Sequence, residues 1–287
     1  MPVSVLINSL NNYLSCKYLS LARSTELTSY LYLYTSMSLR HFIHLAYCGT
    51  DFSGWQIQPN APTIQEVLIK AISTIYNQPI RIVGCGRTDT GVHALNYFAH
   101  MDIPTSEHKV DDLKFKLNNM LPRSVVVYNI SAMDTGAHTR YDATSRSYIY
   151  KMIFGKDPFR NNTTYRFDQS GRPDWDKLQA AAALLLDYQE FLPFCKTHAD
   201  SETYLCDLQR SEWLKISEKE WHYHVKANRF LRGMVRLIVG MTLNVALGRV
   251  ELSEVAEALD KQQRLEKAWA VPASGLYLSE ITYPYAV

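Results

Sequence analysis

The chain has 287 residues, 47% hydrophobic and 20% charged, enough apolar side chain to fill one large core or two ordinary ones. Its formal net charge is only +2, so composition does not mark a nucleic-acid binder, and any basic surface has to come from clustering. Five cysteines at 16, 48, 85, 195 and 206 form no C-x-x-C pair, which speaks against both a disulfide framework and the usual zinc modules.

Residues 1–36 are rich in Leu, Ser and Tyr, with only Lys17, Arg23 and Glu26 charged. No apolar run there is long enough to span a membrane, and the charged start and apolar middle of a secretory signal are missing. We expect a dispensable extension or an upstream start codon, with Met37 as initiator, and a cytoplasmic protein with reduced thiols.

From residue 41 the elements are readable in order. His41 to Cys48 alternates and is rich in strand formers. Thr63 and Glu66 have capping-box spacing, and Ile64, Val67, Leu68, Ala71, Ile72 and Ile75 then follow helical spacing to a stop at Pro79. Strands are predicted over 80–83 and 92–103, a helix over 110–121 and a strand over 124–133. The order then repeats, with a strand over 146–154, a helix from a cap at Asp174 to Leu186, and strands over 203–215 and 220–227. Helices over 230–247 and 252–261 and a last strand over 276–283 complete it. Each half reads strand, helix, strand, strand, helix, strand, the ferredoxin-like order. The expected fold is α+β: halves 37–135 and 136–287 sharing a long antiparallel sheet, with helices on one face and a cleft on the other.

Between two apolar runs lies Gly84-Cys85-Gly86-Arg87-Thr88-Asp89-Thr90-Gly91-Val92-His93. A dinucleotide fingerprint needs glycine where Asp89 stands, and a P-loop needs Lys and Ser/Thr where Val92 and His93 stand. Both nucleotide readings fail on those positions. Two readings stay open: an ordinary β-turn with a helpful Asp, and a turn presenting a chemical carboxylate.

After the midpoint, His138, Arg140, Tyr141, Arg146, Tyr148, Tyr150 and Lys151 crowd into fourteen residues. Arg146, Tyr148 and Tyr150 share strand parity and so face one side. Arginine beside rings suits a phosphate and a stacked base, and a solvated strand with cross-strand aromatic pairs fits the same pattern. Arg229, Arg232 and Arg236 line one face of the predicted helix. Arg236, set among Met234, Val235, Leu237, Ile238 and Val239, needs a buried partner, and a carboxylate in the cleft is the natural one. His222 and His224 read as the polar face of a strand. Cys195, His198, Cys206, His222 and His224 match no metal spacing, so no metal is expected.

The segment from Gly86 to Ala94 resembles the GRTDAGVHA signature of the TruA family of tRNA pseudouridine synthases. Four further blocks agree in order. Tyr47-Cys48-Gly49-Thr50-Asp51-Phe52-Ser53-Gly54-Trp55-Gln56 is similar to the family's Y-D-G-x-x-F/Y-x-G-W-Q. His138 to Ala143, followed by Arg146-Ser147-Tyr148, is similar to H-A-R-F-S-A and R-x-Y. Met234 to Gly240 resembles M-V-R-x-I-V-G, and Gly275 to Leu278 resembles G-L-Y-L. The likeness runs from about 41 to 284. Thr90, Cys48 and the segment Phe191-Leu192-Pro193-Phe194 depart from it, and residues 1–36 have no counterpart.

The resemblance implies an isomerase that converts uridine to pseudouridine in the tRNA anticodon arm, at nucleotides 38, 39 or 40. It implies no cofactor, no catalytic metal and a homodimer. It makes Asp89 the catalytic carboxylate and Tyr148 the ring that stacks on the uracil. Arg87 and Arg236 become the neighbours of the acid, while Arg140, Arg146, His138, Arg229 and Arg232 fall along the RNA path. The chemistry needs a charged acid; burial opposes ionisation and a nearby arginine favours it.

Overall fold

The alternating run beyond residue 37 forms β1 (Ser38–Tyr47), the central strand of the first half. A computed structural model describes residues 38–104, 110–197 and 202–287. The extension 1–36, the proposed start at Met37, and His198 lie outside the described residues.

The predicted cap at Thr63 opens α1 (Ile64–Tyr76), its side chain accepting from the Glu66 N–H at 3.4 Å. The helix ends at Asn77, in the left-handed region at φ 49°, before Pro79 is reached. β2 (Ile82–Gly84), β3 (His93–Pro104), α2 (Val110–Met120) and β4 (Val125–Ala132) complete the first half. The second half contains β5 (Ser145–Phe154), β6 (Tyr165–Phe167), α3 (Trp175–Leu184), β7 (Leu208–Ser217), β8 (Glu220–Ala227), α4 (Met234–Ala246), α5 (Leu252–Asp260) and β9 (Leu276–Thr282). Asp174 caps α3 through the Lys177 N–H, as predicted.

Among the described residues all nine strands join one sheet, in the order β4-β1-β3-β9-β5-β8-β7, with β2 on β3 and β6 on β5. The class is α+β, as expected. The sheet is mixed, however, not antiparallel throughout. The halves meet where His93 and Ala94 of β3 pair in parallel with Tyr277 and Leu278 of β9, and β6 is parallel to β5. Adjacent hairpin strands are forced antiparallel, but β3 and β9 are joined through the whole second half, a connection long enough for parallel pairing.

Two hydrophobic clusters fill the interior among the described residues. One packs α1 and α2 on β1, β3 and β4; the other packs α3, α4 and α5 on β5, β7 and β8. Leu276 enters the second cluster and Leu278 the first. These residues are two apart on β9, so both clusters lie on the same sheet face. Tyr148 packs against both. The site therefore develops on the helix-bearing face, at the seam between the cores, and not on the opposite face. Strand parity told which residues share a side; it could not tell which side the helices cover.

The predicted helix over 230–247 begins only at Met234. Gly233, at φ 74°, stands at its N-cap, so Arg229 and Arg232 lie in the preceding turn and share no helical face with Arg236.

Candidate active site

The acid is held by a turn whose conformation its own residues dictate. Val92 N–H donates to the Asp89 carbonyl at 3.1 Å, closing a β-turn with Gly91 in its third position at φ 77°. That is where a type II turn needs glycine. The turn is therefore real, and Asp89 occupies its first place.

A second loop clamps it. Trp55 N–H donates to the Thr88 carbonyl at 3.3 Å, and Gly91 N–H to the Phe52 carbonyl at 3.2 Å. The Tyr47 hydroxyl lies 2.9 Å from Thr88 Oγ1. Gly54 permits this approach: it has φ 86°, and a Cβ there would stand 2.2 Å from the Thr88 carbonyl oxygen. From below, the Tyr97 hydroxyl donates to the Gly86 carbonyl. At the far end His93 is buried. It accepts from Gly49 N–H at Nδ1 (3.1 Å), which leaves Nε2–H to donate to Ser274 O at 3.2 Å. Burial lowers the pKa of this ring and favours the neutral form that bridges the two loops. His93 thus ties the turn to the segment before β9, a role its place in the motif alone did not reveal.

Asp89 Oδ2 lies 3.6 Å from Arg236 Nη1 on the first turn of α4. Asp89 is about one-third exposed, so the carboxylate is open to a ligand while paired. Arg236 is fixed from behind, its Nε donating to the Val271 carbonyl at 2.6 Å. The partner demanded by an arginine in an apolar run is thus the motif's own carboxylate. Arg87 is exposed and makes no hydrogen bond or ion pair among the described residues.

Tyr148 is half-buried on β5, its ring edge-on to Phe230 with centroids 5.1 Å apart. Burial pushes its hydroxyl up to about 12; Arg146 opposes this, while Cys85 and Asp89 add to it. The phenol therefore stays protonated at neutral pH. Tyr150, which shares its parity, is fully buried and donates to the Pro272 carbonyl at 2.9 Å. Of the two rings, only Tyr148 can meet a ligand. Phe230 escaped the sequence reading because its segment was taken as helix.

The remaining basic residues divide. Arg140 is exposed, with its guanidinium 5.7 Å from the Tyr141 ring centroid. His138 lies between the His100 and Tyr141 rings, and its N–H donates to Asp142 at 2.7 Å. Arg146 donates to the carbonyls of Cys85, Arg140 and Asn228 at 2.9–3.1 Å. Arg232 is exposed, and Arg229 is half-buried beside the Cys195 and Cys206 thiols. Among the described residues no group of three or more His, Cys, Asp and Glu is placed to hold a metal, and no helix is long and apolar enough to cross a membrane. A cavity of about 260 Å³, bordered by Cys48, His93, Arg123 and Tyr277, lies behind the turn, and Asp89 does not line it.

Known proteins share this arrangement of sequence. A family model described as tRNA pseudouridine synthase matches residues 44–142 and 181–284. The tRNA pseudouridine synthase A of Porphyromonas gingivalis is 40% identical over 250 residues, spanning 85% of this chain and 97% of that protein. The protein of that name from Bacteroides fragilis is 39% identical over 248 residues, 86% of this chain and 98% of its own. That from Staphylococcus aureus strain MRSA252 is 32% identical over 249 residues, 85% and 91%.

Proposed function

The chain belongs to the tRNA pseudouridine synthase family, whose members are isomerases, and on that premise we propose that it isomerises uridine 38, 39 or 40 of the tRNA anticodon stem-loop, with Asp89 as its one catalytic carboxylate. The observation that carries this reading is the open carboxylate of Asp89 on a clamped turn, 3.6 Å from the anchored guanidinium of Arg236.

In the reaction the bond from uracil N1 to the ribose breaks, the base turns, and a new bond forms from C5. The hydrogen on C5 leaves and N1 gains one, so nothing is oxidised and no group is lost. The acid acts on the sugar carbon, on the base, or on a ribose proton; each route uses its ionised form. Arg236 supplies the opposite charge beside it. Tyr148, kept upright by Phe230, offers the flat surface that holds the detached uracil, and such stacking contributes about 1–3 kcal/mol. The uridine leaves its helical stack at a cost of a few kcal/mol. Arg140, Arg229 and Arg232 with His138 offset this through the flanking phosphates, and Arg87, two residues before Asp89, meets the substrate beside the acid.

The scaffold we read as two ferredoxin-like halves, residues 37–135 and 136–287. The strand orders β4-β1-β3 with β2 outside β3, and β9-β5-β8-β7, support it, since each half keeps its first strand central between its last and third. The protein acts in the cytoplasm as a homodimer on the tRNA anticodon arm, without a cofactor.

The test is to incubate purified protein with tRNA carrying uridine at 38–40 and map pseudouridine. Asp89→Asn is expected to abolish product while tRNA affinity changes by less than about tenfold, or 1.4 kcal/mol. Product from the variant at the wild-type rate sinks the catalytic assignment. Cells that keep normal function with Asp89→Asn point instead to a tRNA-binding protein that uses this fold without chemistry.

A further inference from the structure

On the aromatic strand, Lys151 lies over the Tyr277 ring, whereas the Arg146 side chain is taken up by backbone oxygen. Nη2 donates to the carbonyls of Cys85 at 3.0 Å and Arg140 at 2.9 Å, and Nη1 to the carbonyl of Asn228 at 3.1 Å. Three of the five N–H donors of the guanidinium are thus used on backbone oxygen. The three acceptors come from segments far apart in sequence, each adjoining a different part of the site. Cys85 is buried and opens the segment that leads into the Asp89 turn. Arg140 is in the loop that presents its own guanidinium and Tyr141 to solvent. Asn228 stands two residues before Phe230, the ring set edge-on to Tyr148. Arg146 itself is two residues from Tyr148 on β5.

We infer that Arg146 is a positioning residue for the reaction. Its guanidinium holds the segment that leads into the Asp89 turn, the Arg140 loop and the Phe230 turn in fixed relation, and does not bind a phosphate. The inference rests on the function proposed above and changes the role that sequence reading gave this residue. A planar fork of fixed geometry can serve three carbonyls in three directions. A lysine ammonium, a point charge on a flexible stem, cannot reproduce that fork, so the exchange that keeps the charge does not keep the function.

The experiment compares Arg146→Lys and Arg146→Ala with Arg140→Ala and the wild type. It reads kcat at saturating tRNA, KM, the salt dependence of tRNA binding, thermal unfolding, and hydrogen exchange of the amides from Gly86 to Gly91. Both Arg146 variants are expected to lose kcat about tenfold or more through misplacement of reacting groups. KM should change little, the salt slope should match wild type, and exchange in the turn should rise, with Lys giving no rescue. Arg140→Ala should lower the salt slope by about one and weaken tRNA affinity, without raising exchange in the turn. Full kcat in Arg146→Lys, or a salt slope lowered by about one in Arg146→Ala with kcat kept, overturns the inference in favour of a phosphate contact. Loss of folding in both variants at the assay temperature overturns it in favour of general stability. A wild type that makes no pseudouridine is a failure of the proposed function, and exchange in the turn then still decides whether Arg146 holds it.

Discussion

At the scale of single residues, the site pairs one open carboxylate with one anchored cation and one half-buried ring. Arg236 is not free to swing, because its Nε is fixed on Val271 while its Nη1 faces Asp89. Its position is part of the fold. Tyr148 separates two properties that a tyrosine combines. Its hydroxyl, pushed up to about 12, stays protonated at neutral pH and makes no base, whereas its ring face is the surface we propose for a loose uracil. Tyr148→Phe is therefore expected to keep tRNA affinity near wild type. Tyr148→Ala should weaken it by the stacking energy, about 1–3 kcal/mol. Equilibrium binding of the tRNA by both variants measures this, and a Phe variant as weak as the Ala variant would transfer the role from ring to hydroxyl.

At the scale of elements, the Asp89 turn is shaped by a neighbour more than by its own glycines. Gly54 has φ 86°, and a Cβ there would stand 2.2 Å from the Thr88 carbonyl oxygen, a backbone atom that cannot rotate away. Gly91 has φ 77°, but the nearest atom to its Cβ would be the Ala273 side chain at an ordinary 3.5 Å. Gly91→Ala should thus cost only the left-handed penalty, roughly 1–2 kcal/mol. Gly54→Ala should cost more and displace the residue next to Asp89. Urea unfolding of both variants tests the order, and equal losses would show that the clamp yields. Local chemistry explains what could be read beforehand. Thr63 and Asp174 announced their helices because a cap is a contact between near neighbours. The ends of the same elements were less legible. Asn77 took the left-handed conformation two residues before Pro79, and Gly233 did so before Met234, so the three-and-four spacing of Arg229, Arg232 and Arg236 imitated one helical face across a break. β6 has three residues and no period to detect. Asp89, Tyr148 and Arg236 were all legible as candidates. That Arg236 rather than Arg87 faces the acid depends on the first turn of α4 meeting the Asp89 turn across the seam between the halves, which no local pattern records.

At the scale of the whole molecule, both cores and the site share one face of the sheet, and the histidines that knit its loops and strands together are held neutral. Burial is the leading cause that lowers the pKa of His41, His93, His100, His138, His222 and His224, and it takes His100 and His224 to about 4. His100 lies under Thr139, whose N–H donates to its Nδ1 at 3.3 Å, and stacks on Phe42. His224 has a buried Nε2 without a hydrogen-bond partner among the described residues. In the unfolded chain these rings titrate near 6.5. Between that value and the folded one the unfolded state binds more protons, so stability rises with pH across the interval. The contribution is complete above about pH 6.5 and is lost as the pH falls towards 4. For His100, almost fully buried, it is on the order of 2–3 kcal/mol. Paired carboxylates such as Asp102, held below the ordinary carboxylate range by its hydrogen bond with Arg40, add their own loss only at more acid pH. The free energy of unfolding should therefore be level from pH 8 to 7 and decline from about 6.5 downward, before the carboxylates titrate. Denaturant titrations at pH 7.5, 6.5, 5.5 and 4.5 measure the curve. His100→Gln keeps an acceptor for Thr139 but cannot take a proton, and it should flatten the decline. A wild-type curve level down to pH 4.5 would mean that these rings accept protons in the folded state at little cost, so that burial does not hold them neutral.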